Sequence, residues 1–345
     1  MKVGFLLTTT DHLGPFIIAR DIINNLPLGS HDIEVFYLKD SIKRINFGVK
    51  TTKISSFATS INFSDFDVVH SHGFLADVYV AWHLKNRAKW ITTLHQKIKP
   101  NYSLDYNIIT ASVLEYVWLK AVSRADMVVT LTKDMESYYA PKLKSTRLRY
   151  VYNGIPDTAE SIEIPHQELE QITEIKKTTK LIGISARLVY LKGIDQVVRM
   201  LAVQNNYSLL LIGDGVEKDN LVQLATSLNV LQRIIFLGYK ENPRPYLALC
   251  DVYAMSSRTE GFGLCVLEAA SQSIPVVCSD IPVYKELFTD EVVKFELENI
   301  NSLAHAMNSA VENSRNLAQK IHQKFVASFT AKIMADHYLK LYSEL

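Results

Sequence analysis

No single sign of charge dominates this chain of 345 residues: 37 Lys and Arg stand against 36 Asp and Glu, a net of +1. Such a balance carries neither the field of a nucleic-acid binder nor that of a protein built for acidic partners. Residues 1–160 hold 19 Lys/Arg against 15 Asp/Glu, or +4, and residues 161–345 hold 18 against 21, or −3. The basic excess of the first half is of ordinary surface size, though it would also suit an anionic membrane. Cysteine is scarce. Cys250, Cys265 and Cys278 are odd in number and lack metal-ligand spacing, which argues against a disulfide framework and for a reduced, cytoplasmic protein. The apolar start, Met-Lys-Val-Gly-Phe-Leu-Leu, is too short for a signal peptide core or a membrane span and reads as a first buried strand. No internal repeat or low-complexity tract is visible. What remains is 48% hydrophobic and 21% charged, the composition of a soluble globular protein, long enough for two domains.

Short apolar runs alternate with longer periodic segments. Residues 2–8, 33–37, 68–70, 90–94, 127–131 and 148–151 read as strands. Helices are predicted over 16–26, 76–85 and 108–123, the last with Val113, Leu114, Val117, Trp118 and Ala121 on one face. A polar, acidic stretch with Pro156 and Pro165, from about Asp157 to Thr179, has little periodicity and marks the entry to a second domain. The alternation then restarts, with strands at 181–185, 208–212, 234–237, 252–255 and 275–278 and helices at 193–204, 220–227, 243–250 and 264–271. A helical pattern over 326–345 closes the chain. This predicts an α/β protein of two doubly wound, Rossmann-like domains: 1–156, 157–325, and a helix 326–345 returning to the first. The ligand is expected in a cleft outside the carboxyl ends of the strands.

The most informative stretch is Ser257-Arg-Thr-Glu260-Gly-Phe262-Gly263-Leu264-Cys-Val-Leu-Glu268. Its glycines let backbone N–H groups approach a ligand, and a helix beginning near Gly263 aims unpaired N–H groups and a positive dipole end at an anion. Glu260 and Glu268 flank that anion site. Carboxylates are poor phosphate ligands and good hydroxyl ligands, and a phosphate with many hydroxyls describes a sugar nucleotide.

Other candidates lie at strand ends. Arg187 and Lys192, in the loop after the strand at 181–185, suit a diphosphate, although loop charges can be no more than surface. His95 ends one strand, and His70 and His72 end its neighbour. A three-histidine metal site would need an accompanying acid that is absent, so His95 and His72 are expected to bond a sugar, with His70 structural. Gly14 opens a helix after the first strand and could bring its N–H to a phosphate, while Gly213, in a tight turn after its own strand, is expected to contact the ligand. Gly238-Tyr239 could read a nucleobase. Asp65-Phe66-Asp67 has a metal-diphosphate spacing but precedes its strand, on the wrong side of the sheet.

With these residues the chain resembles the retaining glycosyltransferases of family 4, which adopt the GT-B fold. The likeness rests on Glu260-x7-Glu268, Ala-Arg187-Leu…Lys192-Gly, Ile212-Gly-Asp-Gly, Phe236-Leu-Gly, Pro275-Val-Val, Val69-His-Ser-His-Gly, Thr93-Leu-His95 and Tyr152-Asn-Gly-Ile-Pro, in the family's order over almost the whole chain. Departures are Ser273, Pro282-Val283 and Leu13 where glycines are usual. The resemblance implies that Arg187 and Lys192 hold the donor diphosphate and that Glu268 grips the ribose. Glu260, with the amides of Phe262, Gly263 and Leu264, would bind sugar and phosphate, His95 would stand beside the reaction centre, and Gly14 would close on the diphosphate. It implies a metal-independent, retaining transfer with no cofactor, UDP as the usual carrier, and a glycan or lipid-linked acceptor in bacterial capsule or lipopolysaccharide synthesis. Lys97, Lys99, Tyr102, Tyr106 and the Trp118 helix would form a basic, aromatic acceptor surface at the inner membrane face, or else an ordinary core helix with solvated lysines. An epimerase would need further acids and bases, and a phosphorylase a lysine for its pyridoxal cofactor. A non-catalytic binding subunit would be expected to lack one of Glu260, Arg187, Lys192 or His95.

Overall fold

The computed structural model describes residues 1–27, 32–41, 44–55, 61–84, 88–103, 107–144, 146–158 and 163–345. They form two compact units, Met1–Pro156 with Phe329–Leu345, and Asp157–Ser328. In the first, the order is β1 (Lys2–Thr9), α1 (Gly14–Asn25), β2 (Asp32–Lys39), β3 (Thr51–Lys53), β4 (Val68–His72), α2 (Phe74–His83), β5 (Lys89–Leu94), α3 (Ile98–Tyr102), α4 (Ile108–Val122), β6 (Met127–Thr130), α5 (Lys133–Tyr139) and β7 (Arg147–Tyr150). The second holds α6 (His166–Lys176), β8 (Lys180–Ser185), α7 (Ile194–Val203), β9 (Tyr207–Ile212), α8 (Lys218–Ser227), β10 (Ile234–Gly238), α9 (Arg244–Leu247), β11 (Val252–Met255), α10 (Leu264–Ser271), β12 (Val276–Ser279), α11 (Pro282–Leu287), β13 (Val293–Phe295), α12 (Ile300–Glu312) and α13 (Ser314–Ser328); α14 (Ala331–Ser343) returns to the first unit.

Each unit is built on a wholly parallel sheet. The strand order is β3-β2-β1-β4-β5-β6-β7 in one and β10-β9-β8-β11-β12-β13 in the other. Helical crossovers cover both faces, so the inner strands carry apolar runs rather than alternation: β6 and β9 are buried at every residue. The order reverses between β1 and β4 and between β8 and β11, which puts a ligand crevice at the carboxyl ends of those pairs.

Three readings of the sequence are corrected. First, α4 buries Ala111, Glu115, Trp118 and Val122, whereas Val113 and Val117, assigned to the inner face, are exposed. This helix is apolar nearly all round, so periodicity alone could not choose its face. Polar anchors choose it: Trp118 Nε1–H donates to Asp77 Oδ2 at 2.6 Å, and Glu115 accepts from Tyr138 Oη at 2.6 Å. Second, the stretch 157–179 holds α6, which buries only Ile172 and therefore shows little apolar pattern. Third, the single helix expected over 326–345 breaks at Phe329–Thr330. There Ile155 N–H donates to Phe329 O at 3.1 Å, Ala331 N–H donates to Ile155 O at 2.8 Å, and Thr330 caps α14. Lys85, expected to end the second helix, lies outside the described residues.

Candidate active site

In the second unit, loops at the carboxyl ends of β8 and β11 meet. After β8 the chain passes exposed Arg187, makes one 3-10 turn at Tyr190–Lys192 and enters α7 through Gly193. Gly193 has φ +59°, and a Cβ there would stand 2.1 Å from Ser256 O, so only glycine fits. Ser256 Oγ donates to Lys192 O at 3.0 Å, and Gln196 Nε2 donates to Ser256 O at 2.9 Å. Arg258 clamps the two loops. Its guanidinium forks Asp195 with two bonds of 2.9 Å, also bonds Glu298, and lies 3.9 Å from the Tyr190 ring centre.

Lys192 Nζ donates to Glu260 Oε1, which also accepts from Ser257 Oγ at 2.8 Å. These side chains are only 20% and 10% exposed. Burial opposes the ammonium, but the adjacent Glu260 outweighs it and holds the Lys192 pKa above the usual lysine value, while nearby Arg187 pulls the other way. The result is a persistent ion pair.

Beside it, α10 starts at Leu264 with Gly263 as N-cap, at φ +89°. A Cβ on Gly263 would meet Tyr284 Oη at 2.7 Å. No side chain caps this helix, so its first N–H groups have no partner within it and present a positive dipole end. Phe262, just before Gly263, is buried. One turn on, Glu268 accepts from Ser185 Oγ at 2.9 Å; burial raises its pKa, against Ser185, Arg244 and Lys192. Tyr239 follows β10 with an exposed ring, its phenol pKa raised by burial and by Glu241 and Glu268. Gly213 gives its N–H to Gly238 O at 2.8 Å. That amide is held by the end of the neighbouring strand β10.

The first unit gathers histidines. His72 Nδ1 lies 2.9 Å from His95 Nε2; His70 bonds Thr93 Oγ1 at 2.8 Å and Tyr342 Oη at 2.7 Å; Thr93 also meets Tyr338 Oη at 3.0 Å. Burial lowers all three imidazole pKa values, that of His95 to about 3, so the ladder is neutral. His72 Nε2 is buried without a hydrogen-bond partner. A lone pair is cheaper than an N–H in such a place. The favoured tautomer therefore has His72 Nδ1–H donating to His95 Nε2, and His95 carrying its own proton on Nδ1. His72, expected to touch a sugar, has no exposed surface; it supports His95 instead, which is half-buried. Gly14 heads α1, whose N-terminus no side chain caps.

The family model for "Glycosyl transferases group 1" matches residues 165–325, and that for "Glycosyltransferase Family 4" matches residues 30–159. The Escherichia coli O-antigen biosynthesis glycosyltransferase WclY is 30% identical over 351 residues, covering 100% of this chain and 99% of that protein. The chain belongs to glycosyltransferase family 4. A Campylobacter jejuni N-acetylgalactosamine-N,N'-diacetylbacillosaminyl-diphospho-undecaprenol 4-alpha-N-acetylgalactosaminyltransferase is 29% identical over 159 residues, 45% of this chain and 44% of that protein. Among solved structures, Anabaena Alr3699/HepE in complex with UDP superposes with a TM-score of 0.81 at 19% identity, covering 100% of each chain. The fold is GT-B.

In this transferase the sequence candidates of the second unit converge: Lys192 on Glu260, and Glu268 on Ser185, around the start of α10. Those of the first unit divide. His95 and His72 come together, whereas Trp118, expected on an acceptor surface, is buried against Asp77. Tyr102 packs on Trp118 with ring centres 6.4 Å apart, and Lys97 pairs with Asp134 at 2.6 Å. Tyr106 lies outside the described residues. Asp67 accepts the Lys2 N–H at 2.7 Å, at the amino end of its sheet. Sequence reasoning passed over Arg258, Ser185 and Arg244. Arg258 stood in plain view two residues before Glu260, but only the fold brings Asp195 to it. Among the described residues, no three His, Cys, Asp or Glu side chains converge on a point where a metal ion could sit. No helix among them is long and apolar enough to cross a membrane.

Proposed function

We propose that the transferase moves a hexosyl or N-acetylhexosaminyl group from a UDP-sugar to a lipid-linked glycan, with retention and without a metal. The setting is synthesis of a bacterial surface polysaccharide at the cytoplasmic face of the inner membrane. The observation that carries this reading is the largely buried Lys192–Glu260 pair beside the uncapped start of α10. It puts a fixed cation, a hydroxyl-binding carboxylate and backbone donors within one loop cluster. Lys192, Arg187 and the amides at 262–264 take the charge that develops on the departing diphosphate, as preorganised donors stabilise any oxyanion. Glu260 holds a sugar hydroxyl, Glu268 the ribose, and Tyr239 stands by the base. His95 offers its Nδ1–H to the donor sugar, and Gly14 its amide to the diphosphate.

The bond from the anomeric carbon to the diphosphate oxygen breaks, and the acceptor oxygen bonds the same face of that carbon. Its proton passes to the departing diphosphate. Each glutamate is occupied by its own partner, Lys192 or Ser185, unlike the free acid and base of a glycosidase. The choice of UDP is supported by the Anabaena protein, solved with UDP and with UDP-glucose. The acceptor class is supported by the names of the Escherichia coli and Campylobacter relatives. Thermal shift with UDP-, GDP- and ADP-sugars tests the donor, since a ligand that binds only the folded state raises Tm. A shift with UDP-sugars and an unchanged anomeric configuration in the product are expected. No shift with any donor, or wild-type turnover by Glu260→Ala, would overturn the reading.

A further inference from the structure

One hydroxyl in the second unit is buried without a use. Tyr284 is 0% exposed, and its Oη makes no hydrogen bond. An O–H left unbonded out of water destabilises the state that holds it, so such a group calls for a reason. Local sequence puts it there. Pro282, at the first turn of α11, fixes where that helix begins, and Val283 and Tyr284 follow it into the core. The ring lies against the Gly263 turn: a Cβ on Gly263 would stand 2.7 Å from Tyr284 Oη and 3.0 Å from Cε1. The hydroxyl is therefore aimed at the start of α10, the end that no side chain caps. Burial, and after it the charge of Glu260, push the phenol pKa well up, ahead of any effect from Cys278, Tyr253 and Cys265. The hydroxyl keeps its proton and is available as a donor.

Glu260 is the acceptor that will need it. Both bonds that Glu260 accepts, from Lys192 Nζ and Ser257 Oγ, fall on Oε1; Oε2 takes neither. Lys192 is one cation facing two demands. Here it pairs with Glu260; with a donor in place it is the cation proposed for the diphosphate. A carboxylate only 10% exposed cannot lose its counter-ion cheaply. We propose that Tyr284 is a positioning residue of the transfer site, whose hydroxyl donates to the Glu260 carboxylate when Lys192 turns to the diphosphate. The exchange keeps Glu260 ionised and aimed at the sugar hydroxyl, and it keeps the Gly263 turn seated on the ring while the cation moves. Tyr284 touches no substrate and acts through Glu260. The inference rests on the donor reading above, but its first test needs no donor.

The test is a thermal unfolding cycle on the full chain. In wild type, Tyr284→Phe removes an unbonded hydroxyl and is expected to raise Tm by about 2–4 °C. In Lys192→Ala the hydroxyl already bonds the stranded carboxylate, so the same change is expected there to lower Tm by about as much. Lys192→Met, which keeps the length of the stem, replaces the alanine variant if that one does not fold. A Tm change of the same sign in both backgrounds overturns the proposal: a fall in both marks a structural tyrosine, a rise in both a hydroxyl that bonds nothing. The second readout is calorimetric titration with UDP. Tyr284→Phe, though more stable, is expected to bind UDP about tenfold more weakly than wild type. Wild-type affinity in that variant overturns the positioning role. A wild type that takes up no UDP while the sign reversal holds sinks the UDP-sugar reading above and leaves the exchange between Tyr284 and Lys192 on Glu260 standing.

Discussion

The two units have similar sheets but hold their functional side chains by opposite means. The second does it with charge: Lys192 on Glu260, Arg258 across Asp195 and Glu298, all short of full exposure. The first does it with neutral groups: His72 on His95, His70 on Tyr342 and Thr93, Thr93 on Tyr338. An ion pair out of water is strong only while both partners remain, and removing one leaves an uncompensated charge. A neutral ladder has no such penalty, but it depends on each imidazole staying unprotonated. The electrostatic unit should therefore be fragile to substitution, and the neutral unit fragile to acid.

The largest effect expected is from Lys192→Ala, which strips the cation proposed for the leaving group and strands Glu260. Its kcat/KM should fall by roughly 10²–10³, and the second unit should lose about 3 kcal/mol. Adding Glu260→Gln should recover the stability but not the activity; calorimetry with a transfer assay separates the two, and a full recovery of rate would break the comparison.

Acid should produce the next effect. His70, His72 and His95 have pKa values depressed by burial. Below about 6.5 the unfolded chain therefore binds protons that the folded one refuses, and stability falls with pH by about 1.4 kcal/mol per unit for each histidine. Asp77 works against this: its pKa, raised by burial to about 6, lets the folded state take up a proton first. Three histidines against one aspartate leave a net loss. The three tryptophans, Trp82, Trp90 and Trp118, all lie in the first unit, so urea unfolding followed by tryptophan fluorescence reads that unit alone. Its midpoint should drop between pH 7 and 5 while the Lys192 side stays intact by hydrogen exchange. Equal sensitivity of both units would erase the distinction.

The smallest effect sharpens the comparison. His72→Asn keeps a side-chain N–H for His95 Nε2 and should stay within a few-fold of wild-type turnover, while His72→Phe should lose roughly tenfold in kcat. Nitrogen NMR of His95 should report a proton on Nδ1 in wild type and in His72→Asn. The other tautomer would refute the ladder as drawn, whatever the rates.

The same contrast governs what could be read in the sequence. The motif proposed to hold the donor was legible because its constraints are local. Gly263 must be glycine at positive φ under Tyr284, α10 begins one residue later, and Lys192-Gly193 needs its own tight entry to α7. The first unit resisted because its partners are remote. Tyr342 lies 272 residues from His70, and Tyr338 245 from Thr93, so nothing beside the histidines announces them. Likewise α4 has apolar residues on every side, and Asp77, Tyr138 and Lys142, distant in sequence, decide which face turns inward. Arg258 was visible, but its forked bonds to Asp195 cross 63 residues.

The exchange at Ile155, Phe329 and Ala331, where the chain rejoins its first unit, sets an order in time. A ribosome delivers residues 157–328 before it delivers Tyr338 and Tyr342. The unit encoded second can therefore close as soon as it emerges. The unit encoded first must wait, its buried histidines lacking their tyrosine partners, until the last helix is released. Nascent chains usually settle from the front; this one should finish at its beginning.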